Sequence, residues 1–348
     1  MASILSNQDN STLNQRSMVK HSLSSHLCQS HWMSLSNEVA LKIANSATGE
    51  VCSSVEFLYD GASSRAWKVT SAQRCFVVRM MLPSVDRPTT YQSELALFRL
   101  LERMDVPVPT TIACYKDMTI PGVDNPWAIT ELVEGNAIGS GPLTSEVASQ
   151  LGKALAKVHS LPVSGFGRLA EQQTGINGQQ NSPGDGILAR YCYGAIWPFD
   201  DSSLTDNAAK HHLATLDSRI RQHEKSIRQI VEDRDVALVH SDIHGKHIFV
   251  KNNRLSGIID FGAAFIGVPD WEFGRLGFEL GWNPVKAILD AYLAHTHRAV
   301  RLERIYLLAL VFTLYKIDRY VREGSGDHKL SRGLLVLQKT LNQLESNA

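Results

Sequence analysis

Residues 236–262, VALVHSDIHGKHIFVKNNRLSGIIDFG, decide how the rest of the chain is read. An apolar strand, Val236 to Val239, runs into a loop dense in His and Asp (His240, Asp242, His244, His247). A second strand from Ile248 to Val250, a polar turn from Lys251 to Arg254 and a third strand at Ile258 and Ile259 follow, ending on Asp260-Phe261-Gly262. Short apolar runs bounded by turn residues read as paired strands. The pattern predicts that the loop and Asp260 lie at neighbouring edges of one small sheet, so that Asp242 and Asp260 converge although 18 residues separate them.

Converging carboxylates beside imidazoles suit phosphoryl transfer. That reaction asks little covalent chemistry of a protein; it needs a carboxylate to receive the acceptor hydroxyl's proton and divalent cations to neutralise the β- and γ-phosphates. Asp242 fits the first role and Asp260, followed by Phe-Gly, the second. A lone Asp-Phe-Gly recurs by chance, but here it follows an H-x-D loop with a strand, a turn and a strand between. The same residues leave another chemistry open. His240, Asp242, His244 and His247 are a compact donor set of the kind zinc selects, which would make the chain a metal-dependent hydrolase. No second His cluster with ligand spacing follows them, and no Walker A, H-E-x-x-H or G-x-S-x-G motif occurs.

The loop resembles that of the aminoglycoside phosphotransferase family, kinase-like enzymes whose pattern reads His-Gly-Asp-Leu-His-Pro-Gly-Asn. Here it reads His240-Ser241-Asp242-Ile243-His244-Gly245-Lys246-His247. The resemblance implies an α+β, two-lobed protein-kinase-like fold, with a small β-rich N-lobe and a larger, mainly helical C-lobe. It implies ATP (or GTP) and Mg²⁺ as cofactors, Asp242 as the catalytic residue, and Asp260 with His247 as metal ligands, His247 standing where the family has Asn. A neutral imidazole can coordinate a divalent cation, although hard Mg²⁺ prefers oxygen. Macrolide kinases of the superfamily are similar in carrying His there. His240 is expected to brace the loop together with Glu272, which ends a Gly267-Val-Pro-Asp-Trp-Glu segment resembling the family's Gly-Asp-Pro-x-x-Asp.

Upstream, Gly61-Ala-Ser-Ser-Arg-Ala followed by Val77-Val78-Arg79 is similar to the order found in hygromycin phosphotransferases. This implies nucleotide-binding roles for Gly61, Ser63, Ser64 and Arg65 in a small-residue turn whose amides approach phosphate closely. Arg79 is implied as the phosphate-pairing cation and Glu94, on the helix pattern TTYQSELALFRLLERM, as its partner. Trp127 to Gly135 reads as a strand entering a hinge, so the backbone of Glu131, Leu132 and Val133 is expected to meet the adenine edge.

The acceptor implied is a small-molecule hydroxyl, foremost that of an aminocyclitol antibiotic such as hygromycin B, with macrolides or metabolites of the choline, homoserine or sugar type as alternatives. A cationic acceptor needs a local acidic pocket on a chain whose 35 basic and 35 acidic residues cancel. Asp200, Asp201, Asp270 and Glu279 are the acceptor-binding carboxylates expected, with Trp282 as a flat wall for a sugar ring. A small-molecule-binding protein that has kept the fold and lost catalysis is a further alternative, motivated by Ser241, Lys246 and His247.

Composition bounds these readings. With 348 residues and 43% hydrophobic content the chain can bury one large or two modest cores. Its balanced charge gives no field for nucleic acid or a membrane surface. Five scattered cysteines without a C-x-x-C pair point to reduced thiols in a cytoplasmic, soluble protein. A monomer or weak homodimer is expected. Residues 1–34 read as a disordered leader, since Ser supplies ten of the first 36 residues. Residues 35–134 are expected to form the nucleotide-binding N-lobe and 135–348 the catalytic and acceptor-binding C-lobe. Helices are predicted from Leu35 to Ala47 with Ser36 as cap, through Glu94, from Thr144 to His159 and over 205–232; residues 164–186, rich in Gly, Gln, Asn and Ser, are predicted as loop.

Overall fold

The computed structural model describes residues 36–61, 63–82, 89–139, 143–170, 175–183, 207–324 and 327–346. The polar leader expected over 1–34 lies outside them. The chain divides into two units, Met1–Asp86 with Ile112–Leu132, and Arg87–Thr111 with Val133–Ala348.

In the first unit, helix α1 (Asn37–Thr48) begins where the sequence offers a cap: the Ser36 hydroxyl accepts the Val39 N–H at 3.3 Å, and Gly49 ends the helix in the left-handed region. Strands β1 (Cys52–Asp60), β2 (Ser64–Ser71), β3 (Cys75–Met81), β4 (Thr111–Cys114) and β5 (Trp127–Glu131) form one sheet in the order β1-β2-β3-β5-β4. Their β-branched and aromatic residues give the sheet a face that α1 covers. Ala40, Ile43 and Ala44 pack with Trp67, Phe76, Val78, Met80, Trp127 and Ile129. Each large apolar side chain buried this way contributes about 1.5–3 kcal/mol.

The second unit starts earlier in the chain than the sequence suggests. Helix α2 (Tyr91–Arg103) and the segment after it belong here, because Phe98 meets Phe261 edge-on at 5.8 Å, the Ile258 N–H donates to the Pro107 carbonyl at 2.7 Å, and the Lys157 ammonium donates to the Met104 carbonyl at 2.6 Å. Glu94 therefore lies in the larger unit, and the division falls after Leu132 rather than after Glu134.

Two sheets, not the one small sheet expected, frame the loop. Strand β10 (Ala237–Val239) pairs with β13 (Phe265–Gly267) in a sheet ordered β10-β13-β8-β9-β7, while β11 (Ile248–Lys251) and β12 (Arg254–Ile258) pair with β6 (Asn136–Ala137). The β11–β12 hairpin turns on Asn252 and Asn253, both at positive φ as a two-residue turn of this hand requires. Strands β7 (Val163–Ser164), β8 (Phe166–Leu169) and β9 (Ile176–Gln180) lie where a loop was expected. Their polar composition hid them: β8 is recruited by β13, a hundred residues downstream, and only Gly167, Leu169 and Ile176 of the two longer strands are buried.

Helix α3 (Ser145–His159) is capped by Thr144, whose hydroxyl accepts the Val147 N–H at 3.3 Å. The helical span predicted over 205–232 is two helices, α4 (Asn207–Arg221) and α5 (Glu224–Val231). Helices α6 (Asp270–Leu280), α7 (Trp282–Leu293), α8 (Leu302–Arg322) and α9 (Asp327–Ser346) complete the unit. Every residue from Ile305 to Leu314 is buried, the mark of a central helix. Around it Phe265, Trp271, Phe278, Tyr306 and Phe312 form the core. The whole is the α+β architecture expected, with one β-rich and one mainly helical unit. Among the described residues no helix is long and apolar enough to cross a membrane.

Candidate active site

The loop between β10 and β11 is held by buried hydrogen bonds along its length. Glu272, fully buried in the first turn of α6, accepts the His240 N–H at 2.5 Å and the Ser241 N–H at 3.2 Å. Its other neighbour is His159 at the end of α3, whose Nε2 lies 3.8 Å away and whose Nδ1 meets the Tyr292 hydroxyl at 3.0 Å. His240 Nε2 is 2.8 Å from the Ile259 carbonyl, which can only accept, so Nε2 carries the proton and Nδ1 is free to accept the Asp242 N–H at 3.2 Å. One imidazole thus links the loop to the strand end that carries Asp260. Gly245 lies so close to Gly139 that a Cβ would meet its carbonyl oxygen at 1.6 Å; the Gly139 N–H donates to the Gly245 carbonyl at 2.9 Å. Only glycine fits there.

Ser241 has φ of +68° and Asp260 φ of +63°, both in the left-handed region. Strained non-glycine residues of this kind persist where surrounding contacts hold them, and they cluster at functional sites. The value at Ser241 also supplies a physical reason for the Gly that the related pattern carries there.

His247 Nδ1 lies 2.9 Å from the Asp242 carbonyl, so it donates, and a neutral ring turns its Nε2 lone pair toward Asp260 Oδ2, 3.7 Å away. Burial pushes the His247 pKa down, which favours that neutral form. Two acceptors facing each other at this distance fit a cation between them. Asp242, His244 and His247 in addition offer one donor atom each within 4.8 Å of one another. His244 is pushed down to about 3, by burial first and then by His247, so it too is uncharged at neutral pH. The residues present therefore fit a divalent cation.

One contact was not anticipated from the sequence. Arg275 Nη2 lies 2.7 Å from Asp242 Oδ1, and the two side chains are 7% and 39% exposed. The same nitrogen is 3.4 Å from Glu279, and the guanidinium carbon stands 4.3 Å from the centre of the Phe312 ring. Glu272, Arg275 and Glu279 are spaced three and four apart on α6, which is the signal that could have put Arg275 on the loop's side of the helix.

The other expected site residues are placed as follows. Asp270 is 1% exposed and bonded to Arg304 at 3.2 Å and to the Arg301 N–H at 3.3 Å, so it is a buried structural carboxylate and not an acceptor ligand. Glu279 is shared by Arg275 and Arg332, the latter at 3.3 Å, which removes it as an unopposed acidic contact for a cation. Trp282 meets Tyr306 edge-on at 4.6 Å and packs against the helical core, while also lining a cavity between the α6–α7 corner and α9. Asp200 and Asp201 lie outside the described residues. In the smaller unit, Arg65 grips Asp60 through two bonds of 3.0 and 3.2 Å, and the Gly61 N–H donates to the Ser64 carbonyl at 2.9 Å. Arg65 thus braces the hairpin instead of standing free for phosphate. Ser63 lies in that turn and its carbonyl accepts the Leu82 N–H, while Ser64 is buried. Arg79 is buried in β3, and Glu94 is fully buried in α2 of the larger unit. At the expected hinge, the Leu132 N–H donates to the Cys75 carbonyl at 2.9 Å and the Glu131 carboxylate pairs with Arg74. Val133 begins the larger unit and lies against Gly257.

Comparison with known proteins bears on the fold and the family. No curated protein sequence matches the chain. Among solved structures it is similar to a thermostable mutant of aminoglycoside phosphotransferase APH(4)-Ia in a ternary complex with ADP and hygromycin B, at 16% identity and a TM-score of 0.63, covering 87% of this chain and 97% of that one. It is also similar to spectinomycin phosphotransferase APH(9)-Ia in complex with ADP and spectinomycin, at 17% identity and a TM-score of 0.57 over 88% and 94% of the two chains. The GDP complex of aminoglycoside 2'-phosphotransferase-IIIa gives 17% identity and a TM-score of 0.58 over 87% and 97%. Likeness at these identities shows the fold. The sequence pattern of the phosphotransferase enzyme family, by contrast, matches residues 54–304, most of the chain and all of the loop just described, and the chain accordingly belongs to that family, the kinase-like phosphotransferases of small-molecule hydroxyl groups.

Proposed function

We propose that this chain transfers the γ-phosphoryl group of ATP to a hydroxyl of a small molecule, with Asp242 as the group that receives the hydroxyl proton. The observation that carries the reading is the fixed pose of Asp242. Its backbone is held by His240 and His247, one carboxylate oxygen is held by Arg275, and the side chain still reaches solvent. In the step, a bond forms between the acceptor oxygen and the γ-phosphorus as the bond from that phosphorus to the β,γ-bridging oxygen breaks. ADP leaves, and the hydroxyl proton goes to Asp242. Asp260 and His247 are proposed to hold Mg²⁺, which when bound supplies charge neutralisation for the phosphates. Arg79 and Glu94 are proposed to serve the nucleotide, with the Gly61 to Ser64 turn and the Val133 backbone.

For the acceptor, the sequence resemblance suggests an aminocyclitol, and hygromycin B is what the APH(4)-Ia complex contains. A cytoplasmic setting suits an ATP-dependent enzyme of this kind. The test is ATP consumption with hygromycin B, macrolides, neutral polyols, hydroxy acids and sugar phosphates in turn. With any acceptor that supports turnover, Asp242→Asn should lower kcat by about 10² to 10⁴ at a temperature where the variant is folded. Undiminished turnover in that variant would sink the role of Asp242.

A further inference from the structure

The larger unit sets an excess of positive charge beside Asp242, and that charge bears on which acceptor the site takes. Phe312, Lys316 and Tyr320 lie four apart on α8 and so share one face of the helix. Phe312 carries the Arg275 guanidinium on its ring, and the Lys316 ammonium stands 6.0 Å from the Phe312 ring centre and 5.0 Å from that of Tyr320. Among the described residues no carboxylate lies within 4 Å of Lys316. Its pKa is pushed down to about 8, by burial first and then by the charge of Arg275, with Glu279 and Asp242 acting the other way and Arg319 adding to the repulsion. Arg275 Nη2 serves both ion pairs, and its Nε is buried without a hydrogen-bond partner.

Two cations set against the same Phe312 ring repel each other, and Lys316 is partly withdrawn from the water that would screen them. Glu279 does not relieve the excess, being shared between Arg275 and Arg332. Such an arrangement is what an oxyanion relieves when it binds. Glu279, the second partner of Arg275, also lines a cavity of about 610 Å³ beside Trp282, together with the cations Arg332 and Lys339. A polycationic aminocyclitol would meet Arg275 and Lys316 with like charge.

We propose that Lys316 and Arg275 form the recognition site for an oxyanion, carboxylate or phosphate, carried by the acceptor itself, so that the molecule phosphorylated is a hydroxylated anion. The inference rests on Asp242 being the group at which the hydroxyl reacts. Its test needs a readout at Lys316 itself. The full-length protein is labelled with limiting acetic anhydride at constant ionic strength, and the acylation rate of Lys316 is followed by mass spectrometry with D-glycerate, glycerol 3-phosphate or hygromycin B. At about 10 mM, well above a millimolar Kd, one or both anions should slow acylation about tenfold while hygromycin B leaves it unchanged. Protection by glycerate alone assigns a carboxylate, and by glycerol 3-phosphate alone a phosphate. Unchanged acylation with both anions overturns the proposal. In the ATP assay with the protecting anion, Lys316→Met should raise KM about tenfold with kcat nearly unchanged, and Lys316→Arg should restore it. Hygromycin B turned over with Lys316 unprotected by either anion would leave the role of Asp242 standing and remove this proposal. Lys316 shielded by an anion, with Asp242→Asn as active as wild type, would keep the oxyanion site and remove the role of Asp242, and with it the placing of the reacting hydroxyl there.

Discussion

Two charge networks leave helix α6 and differ in how they end. Near its first turn, Asp270 bonds to Arg304 and to the Arg301 N–H, and Arg304 continues to Asp233 at 2.8 Å. That network closes on itself, with Asp270 buried. One and a half turns on, Arg275 bonds to Asp242 and Glu279, and Asp242 is 39% exposed. A carboxylate sealed by its cation orders the fold, whereas one held on a single side and open on the other can meet a substrate. The acidic residues flanking the loop look alike as sequence; which of them faces a ligand is decided by what packs around each.

The comparison is broken most directly at the closed network. Asp270→Ala leaves Arg304 part-buried with one partner fewer and should lower stability by about 3 kcal/mol, the lower end for removing one member of a buried pair, since Asp233 remains. Chemical denaturation would measure the loss. Kinetic constants at a temperature where the variant is folded should be those of the wild type. A fall in kcat without a fall in stability would place Asp270 in the site after all.

Much of this was legible because it is local. The caps at Ser36, Thr90 and Thr144, the helices they open and the strand-loop-strand run into Asp260 all follow from residues within a few positions of one another. The pairing of Arg275 with Asp242 spans 33 residues, and Lys316 comes from a helix still further along. Neither has a sequence neighbour that announces it. The strands over 166–169 and 176–180 were illegible for the same reason, since their partner β13 is distant and their own residues are mostly small and polar. Leu132 shows the converse: its place at the end of a strand was clear, but not that its N–H would already be taken by Cys75.

At the open network the metal position offers the next largest effect. His247 presents nitrogen where the related pattern offers an amide oxygen, and oxygen suits Mg²⁺ better. His247→Asn should shift the ratio of Mg²⁺- to Mn²⁺-supported turnover toward Mg²⁺ by about tenfold, while Asp260→Ala should weaken use of both ions. Full activity in His247→Ala together with none in His247→Asn would exclude a ligand role.

A smaller effect separates recognition from stability at Lys316. Its pKa in the folded chain, about 8, lies below its ordinary value of 10.5. A depressed folded pKa means a contribution to stability that is present above the unfolded pKa and lost as pH falls through the folded one. At pH 7 the protein therefore bears the burden of a charged Lys316, and relief begins as pH rises past 8 toward 10.5. Lys316→Met should be more stable than wild type at pH 7 by on the order of 1 kcal/mol, reduced from the full linkage value because the ammonium is part-exposed, and the gain should shrink toward pH 10. A variant less stable at pH 7 would show that the cation holds the fold, as Arg304 does.

The smallest effect tests the loop between the two networks. Ser241 sits at φ of +68° with its N–H donated to Glu272, so the backbone conformation is imposed by the buried carboxylate and not chosen by the serine. A left-handed residue with a Cβ costs about 1–2 kcal/mol, and glycine removes that at an entropic penalty of about 0.5–1 kcal/mol. Ser241→Gly should therefore stabilise the protein by roughly 0.5 kcal/mol, the difference between those two quantities. Ser241→Ala keeps the Cβ and loses the hydroxyl, and so separates strain from side-chain bonding. If glycine stabilises and alanine does not, the strain is real and the loop tolerates it in order to hold Asp242 where Arg275 meets it. If both variants lose stability equally, the serine hydroxyl is what matters, and the left-handed backbone at this position is held at no net disadvantage.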